Sequence, residues 1–426
     1  MRRSVLVILA GFTLFASFPA AQRSTQPSKP LDIYVVDTEG GKAGLWVSPT
    51  GQTLLIDSGN PGGRDTDRIM EAVNAAGVKQ IDFLISTHYH GDHVGGLPEL
   101  AKRIPIAHFI DHGPTVEERE QAQGFQAAYA ELYGKAKHTV VKPGDRVPIT
   151  GLDWRIVTAA GQGLKTPLPG GGKPNGGCGQ SPPNQAARDE NAQSVGSVVT
   201  FGQWRAIDLG DLTWNNELEL MCPNNPIGTV DVYFVTHHGL DQSGSPAVVH
   251  GVQPRAAVMQ NGTRKGAGAN AMPTMRSSPG LEDIWQLHWS YTAGIEQNSA
   301  GVFVANVDDA ATIAGVLTAP ARGGGAGRGQ GGPPAAGAPP PGAGASPASA
   351  AQPGAAAPGT SPTGAPPAAG AGGPGGQGAG RGAGAAEAAH TPAYWIKVSA
   401  QQDGTFTVSN SRNGFSKTYV KRSQAR

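Results

Sequence analysis

This sequence has few cysteines, almost no excess of either charge and few long apolar runs, and each of these features excludes a class of protein. Only two cysteines, Cys178 and Cys222, occur in 426 residues, and neither has the spacing of a zinc ribbon. In an oxidising compartment they could form a disulfide, and the alternative is two separate thiols. The formal net charge of +1 provides no general attraction to nucleic acid or anionic lipid. After the N-terminal region, no apolar run approaches the roughly 20 residues of a membrane-spanning helix.

The first 21 residues have the pattern of a secretory signal peptide. Arg2 and Arg3 precede an apolar run at residues 5–16, and small residues follow at Ala20 and Ala21. A lipoprotein is disfavoured because no cysteine lies near the cleavage region. We therefore predict an exported protein, periplasmic or secreted, that is cleaved near Ala21 and keeps no membrane span afterwards.

A segment of low complexity, residues 319–390, consists almost entirely of Gly, Ala and Pro. It has too little apolar side-chain area to offset the entropy of ordering the chain, and it lacks the regular glycine period of collagen. We predict a disordered insertion. The patterns at residues 391–422 predict C-terminal strands that complete the domain formed by residues 31–318, and a separate small module is the alternative.

Strand and helix patterns alternate through residues 31–318, which favours an α/β (or α+β) fold. Several predicted strands end in polar residues, namely Asp57, His88, Asp211 and the pair His237-His238. Sites in layered α/β folds form where strand ends meet loops, so four such ends on one rim would build a metal centre.

Three other stretches carry secondary predictions. Residues 281–287 are predicted to form a helix. The Gly- and Pro-rich stretch 161–183 is predicted to be a flexible surface insertion, with a lid over the site as the alternative. His288, close to Trp285 and Trp289, is predicted to be packed or to lie at the rim of the site rather than to bind a metal.

The segment His88-Tyr89-His90-Gly91-Asp92-His93 follows a predicted buried strand and concentrates metal-ligand chemistry. Three of the 11 histidines of the chain occur within these six residues, which disfavours a surface loop that is rich in histidine by chance. His88 and His90 are two apart, so an extended backbone points both to one side. Asp92 and His93 are adjacent and diverge, so they can serve a second position. Imidazole nitrogens and a carboxylate together suit zinc or a similar divalent metal.

This motif, with Leu-Ile-Asp-Ser-Gly at residues 55–59 before it and Gly210-Asp211 after it, resembles the metallo-β-lactamase superfamily. A Thr-His-His-Gly element at residues 236–239 and an Asn-to-Ser segment at residues 191–194 make it similar to one branch, the extracellular hydrolase-like domain of DNA-uptake competence channels. The resemblance covers roughly residues 31–310. It implies an αββα sandwich that holds one or two metals, usually zinc, at one edge.

The resemblance also implies a role for each residue of the motif. The first metal would bind His88 and His90, and the second would bind Asp92 and His93. Asp211 would bridge both metals, and the second site would be completed by His238 or, instead, His237.

One departure weakens the first site. Many members of the superfamily have a further histidine for the first metal, yet residues 189–197 contain none. Asp189, Glu190 or Asn191 would have to replace it, or the first site would bind metal more weakly.

The sequence therefore predicts a metal-dependent hydrolase that uses a metal-activated hydroxide, with Asp92 as both ligand and proton acceptor. The expected substrate is a small molecule or a phosphodiester, and esters, lactones and β-lactams stay open. The sequence shows no clear nucleic-acid patch. The alternative is a non-catalytic exported protein that keeps the metal at a structural site.

Overall fold

A computed structural model describes residues 29–183, 189–291, 297–307 and 390–422. The predicted signal peptide, and residues 308–389 with most of the predicted insertion, lie outside the described residues. Within the described ranges, no helix has the length and apolar character needed to cross a bilayer.

The described residues form twenty strands. They are β1 (Leu31–Val35), β2 (Gly44–Val47), β3 (Thr53–Ile56), β4 (Phe83–Ile85), β5 (His108–Asp111), β6 (Lys137–Val140), β7 (Arg146–Val147), β8 (Asp153–Ala159), β9 (Gln162–Gly163), β10 (Lys173–Pro174), β11 (Gly196–Phe201), β12 (Trp204–Asp208), β13 (Asn224–Asn225), β14 (Val232–Phe234), β15 (Ala256–Met259), β16 (Asp283–His288), β17 (Val304–Asn306), β18 (Ile396–Ala400), β19 (Phe406–Asn410) and β20 (Ser416–Tyr419).

Seven α-helices and four short 3-10 turns connect these strands. The helices are α1 (Arg64–Ala75), α2 (Gly91–Val94), α3 (Leu97–Leu100), α4 (Glu120–Tyr133), α5 (Trp214–Met221), α6 (Pro246–Val252) and α7 (Ala271–Arg276), and the 3-10 turns are Gly176–Gln180, Glu190–Gln193, Thr236–Gly239 and Gly301–Phe303.

Two large sheets contain most of the strands. The first has the order β20-β19-β18-β1-β2-β3-β4-β5-β6, and the second has the order β17-β16-β15-β14-β12-β11-β8-β7 with β9 paired to β8. In the first sheet, β18 pairs with β1 in antiparallel register from Leu31↔Ala400 to Val35↔Ile396. The strands that follow residue 390 are therefore hydrogen-bonded to the first strand of the chain.

Aromatic side chains join the two sheets across a common core. The indole rings of Trp46 in the first sheet and Trp154 in the second are 4.8 Å apart. At the other side of the sandwich, Trp285 Nε1 donates to Tyr419 Oη at 2.9 Å. These large side chains are fully buried, so the faces between the sheets exclude water.

Helices cover both outer faces of this sandwich. Ile69 of α1, Leu100 of α3 and Tyr129 of α4 pack on the first sheet, and Leu220 of α5 and Met272 of α7 belong to the apolar cluster on the second. The four layers form the αββα sandwich, which confirms the fold expected from the sequence.

The prediction of a helix at residues 281–287 is wrong. Residues 283–288 form β16, which pairs in parallel with β15 on one side and β17 on the other. Every residue of β16 after Asp283 is buried. A strand that is buried on both faces has no alternating pattern, so a short apolar run does not distinguish it from a helix.

The stretch at residues 161–183 is anchored to the helices of the second sheet. Cys178 forms a disulfide with Cys222 at the end of α5, which confirms the pairing considered from the sequence. Asn175 Nδ2 donates to the carbonyl oxygens of Met221 and Ala247 at 3.0 and 2.8 Å. The described part of this stretch is therefore packed against α5 and α6, which differs from a flexible surface insertion.

The carboxyl ends of parallel strands from both sheets meet at one edge. In the first sheet, β3 and β4 are parallel, and in the second, β12, β14 and β15 are parallel. The loops after these five strands carry Asp57, His88–His93, Asp211, His237-His238 and Gln260. This common direction brings residues that are up to about two hundred positions apart in sequence to one rim.

Candidate metal centre

Four side chains converge at this rim. Asp92, His93, Asp211 and His238, here called the central group, each offer a donor atom, and all four atoms lie within 4.8 Å of one another. Asp211 Oδ2 is 3.2 Å from both His93 Nε2 and His238 Nε2. Asp92 Oδ2 is 3.5 Å from His93 Nε2 and 3.4 Å from His238 Nε2. Two carboxylates and two imidazoles form a donor set that suits a divalent metal.

Hydrogen bonds on the far side of each ring determine which nitrogen faces the central group. His93 Nδ1 donates to Asp57 Oδ2 at 2.8 Å, and His238 Nδ1 donates to the carbonyl oxygen of Gln260 at 2.8 Å. Because each Nδ1 donates on the far side, each ring directs its Nε2 to the group, and these two nitrogens are only 3.3 Å apart. Two facing imidazole nitrogens and two buried carboxylates need a proton or a metal ion among them, so the residues fit a metal ion.

His88 and His90 form a second pair of facing donors beside the central group. His88 Nε2 and His90 Nδ1 are 3.0 Å apart. His88 Nδ1 lies 3.1 Å from Thr87 Oγ1, whose proton goes to Asp57, and His90 Nε2 donates to Glu117 Oε1 at 3.2 Å. These partners direct the remaining nitrogen of each ring, His88 Nε2 and His90 Nδ1, toward each other. Glu117 was not singled out from the sequence, because a glutamate near a helix start has many other roles.

Asp211 lies between the rest of the central group and the pair His88 and His90. Its Oδ2 atom is 4.0 Å from His88 Nε2 as well as 3.2 Å from His93 and His238. Its backbone N–H donates to Ser194 Oγ at 3.1 Å. This bond fixes the backbone of Asp211 directly after Gly210, a glycine with positive φ. Burial raises the pKa of Asp211, but the imidazoles of His238, His93 and His237 outweigh it and hold that pKa well below the ordinary value.

The structure distinguishes the two histidines of the Thr-His-His-Gly element. His238 joins the central group, whereas His237 Nε2 lies 3.5 Å from Asp211 Oδ2 and its Nδ1 lies 3.1 Å from Ser243 Oγ. Both residues have positive φ, 52° and 56°. Two consecutive non-glycine residues in this region cost about 1 kcal/mol or more each, and such strain clusters at functional sites.

The three residues considered as replacements for the missing histidine have different surroundings. The carboxylate of Glu190 accepts from Tyr89 N, Thr115 Oγ1 and Val116 N and pairs with His112, so it is fully engaged. Asp189 caps the 3-10 turn through Ala192 N. Asn191 Oδ1 is buried and has no hydrogen-bond partner among the described residues. Of the three, Glu190 is therefore occupied, Asn191 has a buried oxygen without a partner among the described residues, and the carboxylate of Asp189 lies close enough to His90 for that ring to oppose the burial that raises its pKa.

The carboxylates around His93 change its protonation. Burial alone would lower its pKa, but Asp211, Asp92 and Asp57 outweigh burial and raise the pKa of His93 to about 10. In the metal-free protein a proton thus takes the place of a metal cation at this ring. The buried ring of His88 shows the opposite behaviour, since burial and the neighbouring imidazoles of His93 and His90 hold its pKa well below the ordinary value.

Two lysines flank the centre in different ways. Lys42 is buried behind it, and its ammonium bonds Asp208 Oδ1 at 2.6 Å. Lys265 lies on the solvent-exposed side of the centre, here called the mouth, which Asp92 also reaches. Its side chain is 36% exposed, and its Nζ is 2.5 Å from Asp92 Oδ2. Burial raises the pKa of Asp92, but Lys265 and His93 outweigh it and hold that pKa well below the ordinary value. Neither lysine was identified from the sequence, because no local motif marks them.

A second group of two carboxylates and two histidines lies elsewhere, and it consists of Asp37, Glu39, His288 and His390. His288 Nε2 donates to Asp37 Oδ1 at 2.6 Å, and His390 Nδ1 is 3.0 Å from Glu39 Oε1. The guanidinium of Arg68 bonds both carboxylates, at 3.0 and 2.9 Å. His288 is fully buried in this second group. Among the described contacts, no hydrogen bond joins it directly to the central group.

Comparison with known proteins gives one family match. Residues 39–179 match the family model of the Metallo-beta-lactamase superfamily. This interval includes Asp57 and His88–His93, and it ends before Asp211 and His238 in the sequence. The match therefore covers the half of the centre that the first sheet supplies.

Individual relatives are distant. The competence protein ComA of Neisseria gonorrhoeae is 24% identical over 249 residues, which are 58% of this chain and 30% of that protein. The chain thus spans less than a third of that relative's length.

Two solved structures show the range of similar folds. CmlA, a diiron β-hydroxylase from Streptomyces venezuelae, is 17% identical over 55% of this chain and 45% of its own, with a TM-score of 0.30. A HARLDQ-motif mutant of a metallo-β-lactamase from Cronobacter sakazakii is 17% identical over 47% of this chain and 74% of its own, with a TM-score of 0.29. These scores are low, and the fold follows from the strand order and the four layers.

Proposed function

Because this chain carries a metallo-beta-lactamase superfamily domain, we propose that it is an exported metal-dependent hydrolase that acts on an ester, phosphodiester or related bond. The observation that carries the proposal is the set of two imidazole nitrogens and two carboxylate oxygens, from both sheets, that lie within 4.8 Å of one another in the central group. Export is proposed from the N-terminal sequence pattern.

The metal, when bound, supplies Lewis acidity, which lowers the pKa of a water ligand toward about 7 and polarises the scissile bond. The protein orients the donors: Asp57 holds the ring of His93, the Gln260 carbonyl holds that of His238, and Glu117 holds that of His90. Such outer partners determine the tautomer and direction of each ring.

Asp92 is the member of the central group that faces solvent. Its side chain is 24% exposed, whereas those of His93, Asp211 and His238 are 0%, 3% and 1% exposed. Asp92 is therefore next to an incoming substrate, and the proposal assigns it both metal binding and proton acceptance. The low pKa of its carboxylate makes it a weak base, so metal binding is its larger contribution.

The charge around the centre supports one tightly held divalent ion. Once a metal displaces the proton of His93, four carboxylates and two ammonium groups leave a charge of −2 around it; they belong to Asp57, Asp92, Asp208, Asp211, Lys42 and Lys265. One divalent cation neutralises this charge. We propose zinc or another divalent metal in the central group, and a second ion at His88 and His90 that is held more weakly because a histidine is missing there.

The alternative function, a non-catalytic metal-binding protein, requires a closed site. The exposure of Asp92 and Lys265 at the mouth favours the hydrolase instead, because a catalytic site must keep one side open to substrate. The substrate class proposed is a small molecule or a phosphodiester.

The experiment combines metal analysis with a substrate panel. The purified protein should contain about one to two divalent ions per chain and hydrolyse generic nitrophenyl esters or phosphodiesters. His93→Ala should lose both metal and turnover. His250→Ala is the matched control, since its Nε2 bonds the Thr274 carbonyl far from the centre. Turnover that persists in metal-free protein would overturn the proposal.

A further inference from the structure

Lys265 reaches the centre from a loop outside the histidine motif. The loop follows β15, and a bond from Gly262 N to the Lys265 carbonyl, 2.9 Å long, closes a tight turn that places the side chain at the rim. The ammonium is 2.5 Å from Asp92 Oδ2. The position of this loop is a consequence of the second sheet, and it lies beyond residues 39–179 that match the family model.

The oxygen that Lys265 contacts is the same oxygen that Asp92 directs into the central group. Asp92 Oδ2 is 3.5 and 3.4 Å from the Nε2 atoms of His93 and His238. A divalent ion and the ammonium therefore compete for one carboxylate oxygen. A lysine ammonium is a compact charge on a flexible four-carbon chain, so it can leave that oxygen and stay nearby in the mouth.

We propose that Lys265 is the residue that selects a substrate with a negative charge on the attacked group, namely a phosphodiester. This inference rests on the proposed hydrolase function. When a divalent ion occupies the central group, charge repulsion moves the ammonium from Asp92 toward the open side, where it binds a non-bridging phosphate oxygen.

The location of the ammonium favours a phosphodiester over a carboxylate-bearing ester. Lys265 lies within one hydrogen bond of the central group, so the anion it binds must be close to the atom that is attacked. In a phosphodiester the charged oxygen is bonded directly to that atom, whereas a carboxylate is separated from an ester carbonyl by intervening bonds.

Lys42 does not offer the same function. It is 3% exposed and bonded to Asp208 at 2.6 Å, so a substrate at the mouth cannot contact it. Other cations near the centre are Arg264, the exposed neighbour of Lys265, and Arg119, which bonds Glu117 beside His90. Among the described contacts, Lys265 is the cation that bonds the Asp92 carboxylate of the central group.

The test uses the full-length, metal-loaded protein and two variants. Lys265→Met removes the charge, and Lys265→Arg keeps it. Lys102→Met is the control, because Lys102 is exposed and pairs only with Glu99 on the surface. Three readouts are measured: the affinity for inorganic phosphate by calorimetry, the affinity for zinc by chelator competition, and kcat/KM for bis(4-nitrophenyl) phosphate and for 4-nitrophenyl acetate.

We expect Lys265→Met to bind phosphate about tenfold more weakly and zinc more tightly, because a competing cation has been removed. The ratio of phosphodiester to ester kcat/KM should fall about tenfold, and Lys265→Arg should restore most of it. The control variant should match the wild type in all three readouts.

Unchanged phosphate affinity, or equal losses for the charged and the neutral substrate, would overturn the role of Lys265 while leaving the hydrolase intact. If the wild type hydrolyses neither substrate, the hydrolase proposal fails, and a weaker phosphate affinity in Lys265→Met still supports Lys265 as the anion-binding residue.

Discussion

The two groups of acidic and histidine side chains in this molecule each combine two carboxylates and two imidazoles, yet their donor atoms have different partners. The central group brings together two imidazole Nε2 atoms at 3.3 Å, each ring held by a hydrogen bond on its far side. In the second group, Asp37, Glu39, His288 and His390, a protein cation is already present: the guanidinium of Arg68 bonds both carboxylates. Residue types alone therefore do not distinguish a metal centre from an ion-pair network.

The second group has a structural role that its contacts explain. Glu39 accepts from the backbone N–H of His390 at 2.9 Å, and Arg68 donates to the carbonyl oxygen of the same residue at 2.7 Å. These bonds join positions 351 and 322 residues apart and fasten the chain just before β18 pairs with β1. The central group, by contrast, has a partly exposed side that a substrate can reach.

The largest expected effect tests the central group. Asp211→Asn removes the charge that lies between His88, His93 and His238, so kcat/KM should fall by about 10³-fold with loss of bound metal. Metal analysis and nitrophenyl substrate assays measure both. Asp37→Asn, the matched change in the second group, should keep the metal content of the wild type. Loss of metal in Asp37→Asn would remove the distinction between the groups.

Arg68→Met should destabilise the fold by about 3–5 kcal/mol, because it leaves the buried carboxylate of Asp37 and the partly buried carboxylate of Glu39 without their cation. Urea unfolding of the metal-loaded protein measures the free energy of unfolding. The metal content should stay that of the wild type. If zinc restored the free energy of unfolding of this variant, the second group would bind a metal whenever Arg68 is absent. Arg68 alone would then account for the difference between the two groups.

The pH dependence should differ between the metal-free and metal-loaded protein. The pKa of His93 is raised to about 10 from its ordinary value of 6.5, so its protonation contributes stability that is fully present below pH 6.5 and lost as the pH rises through 10. A metal must displace this proton, and metal affinity should therefore increase by up to about tenfold per pH unit within that window. Chelator competition at several pH values measures it, and a pH-independent affinity would contradict the assignment of His93.

The smallest expected effect concerns the support of His90. Glu117→Gln keeps the shape of the side chain but weakens its bond to His90 Nε2, so the affinity of the His88–His90 position for metal should fall about tenfold. Glu118→Gln is the control, because Glu118 is exposed beside it. Titration with zinc should show the weaker of two binding steps shifted in Glu117→Gln only. A shift of the tighter step would place Glu117 in the central group instead.

The sequence predicted the α/β fold class and the histidine motif because both depend on local patterns, whereas the sandwich was implied by the resemblance to the metallo-β-lactamase superfamily. Apolar strands that end in polar residues are visible over a few positions, and His88 to His93 lie within one loop. The error at residues 281–287 has the same origin: β16 is buried on both faces, so local pattern did not separate strand from helix.

By itself the sequence determined which donors exist and which of them share a loop, since spacing of one or two residues fixes direction over short distances. Only the tertiary structure decided which ring nitrogen faces the central group, that His238 rather than His237 completes that group, and that Glu190 is occupied while Asn191 is not. It also placed Arg68 between the carboxylates of one group and Lys265 at the mouth of the other. The physical reason is that protonation and charge balance depend on partners from distant strands, and the order of strands in two sheets brings those partners together.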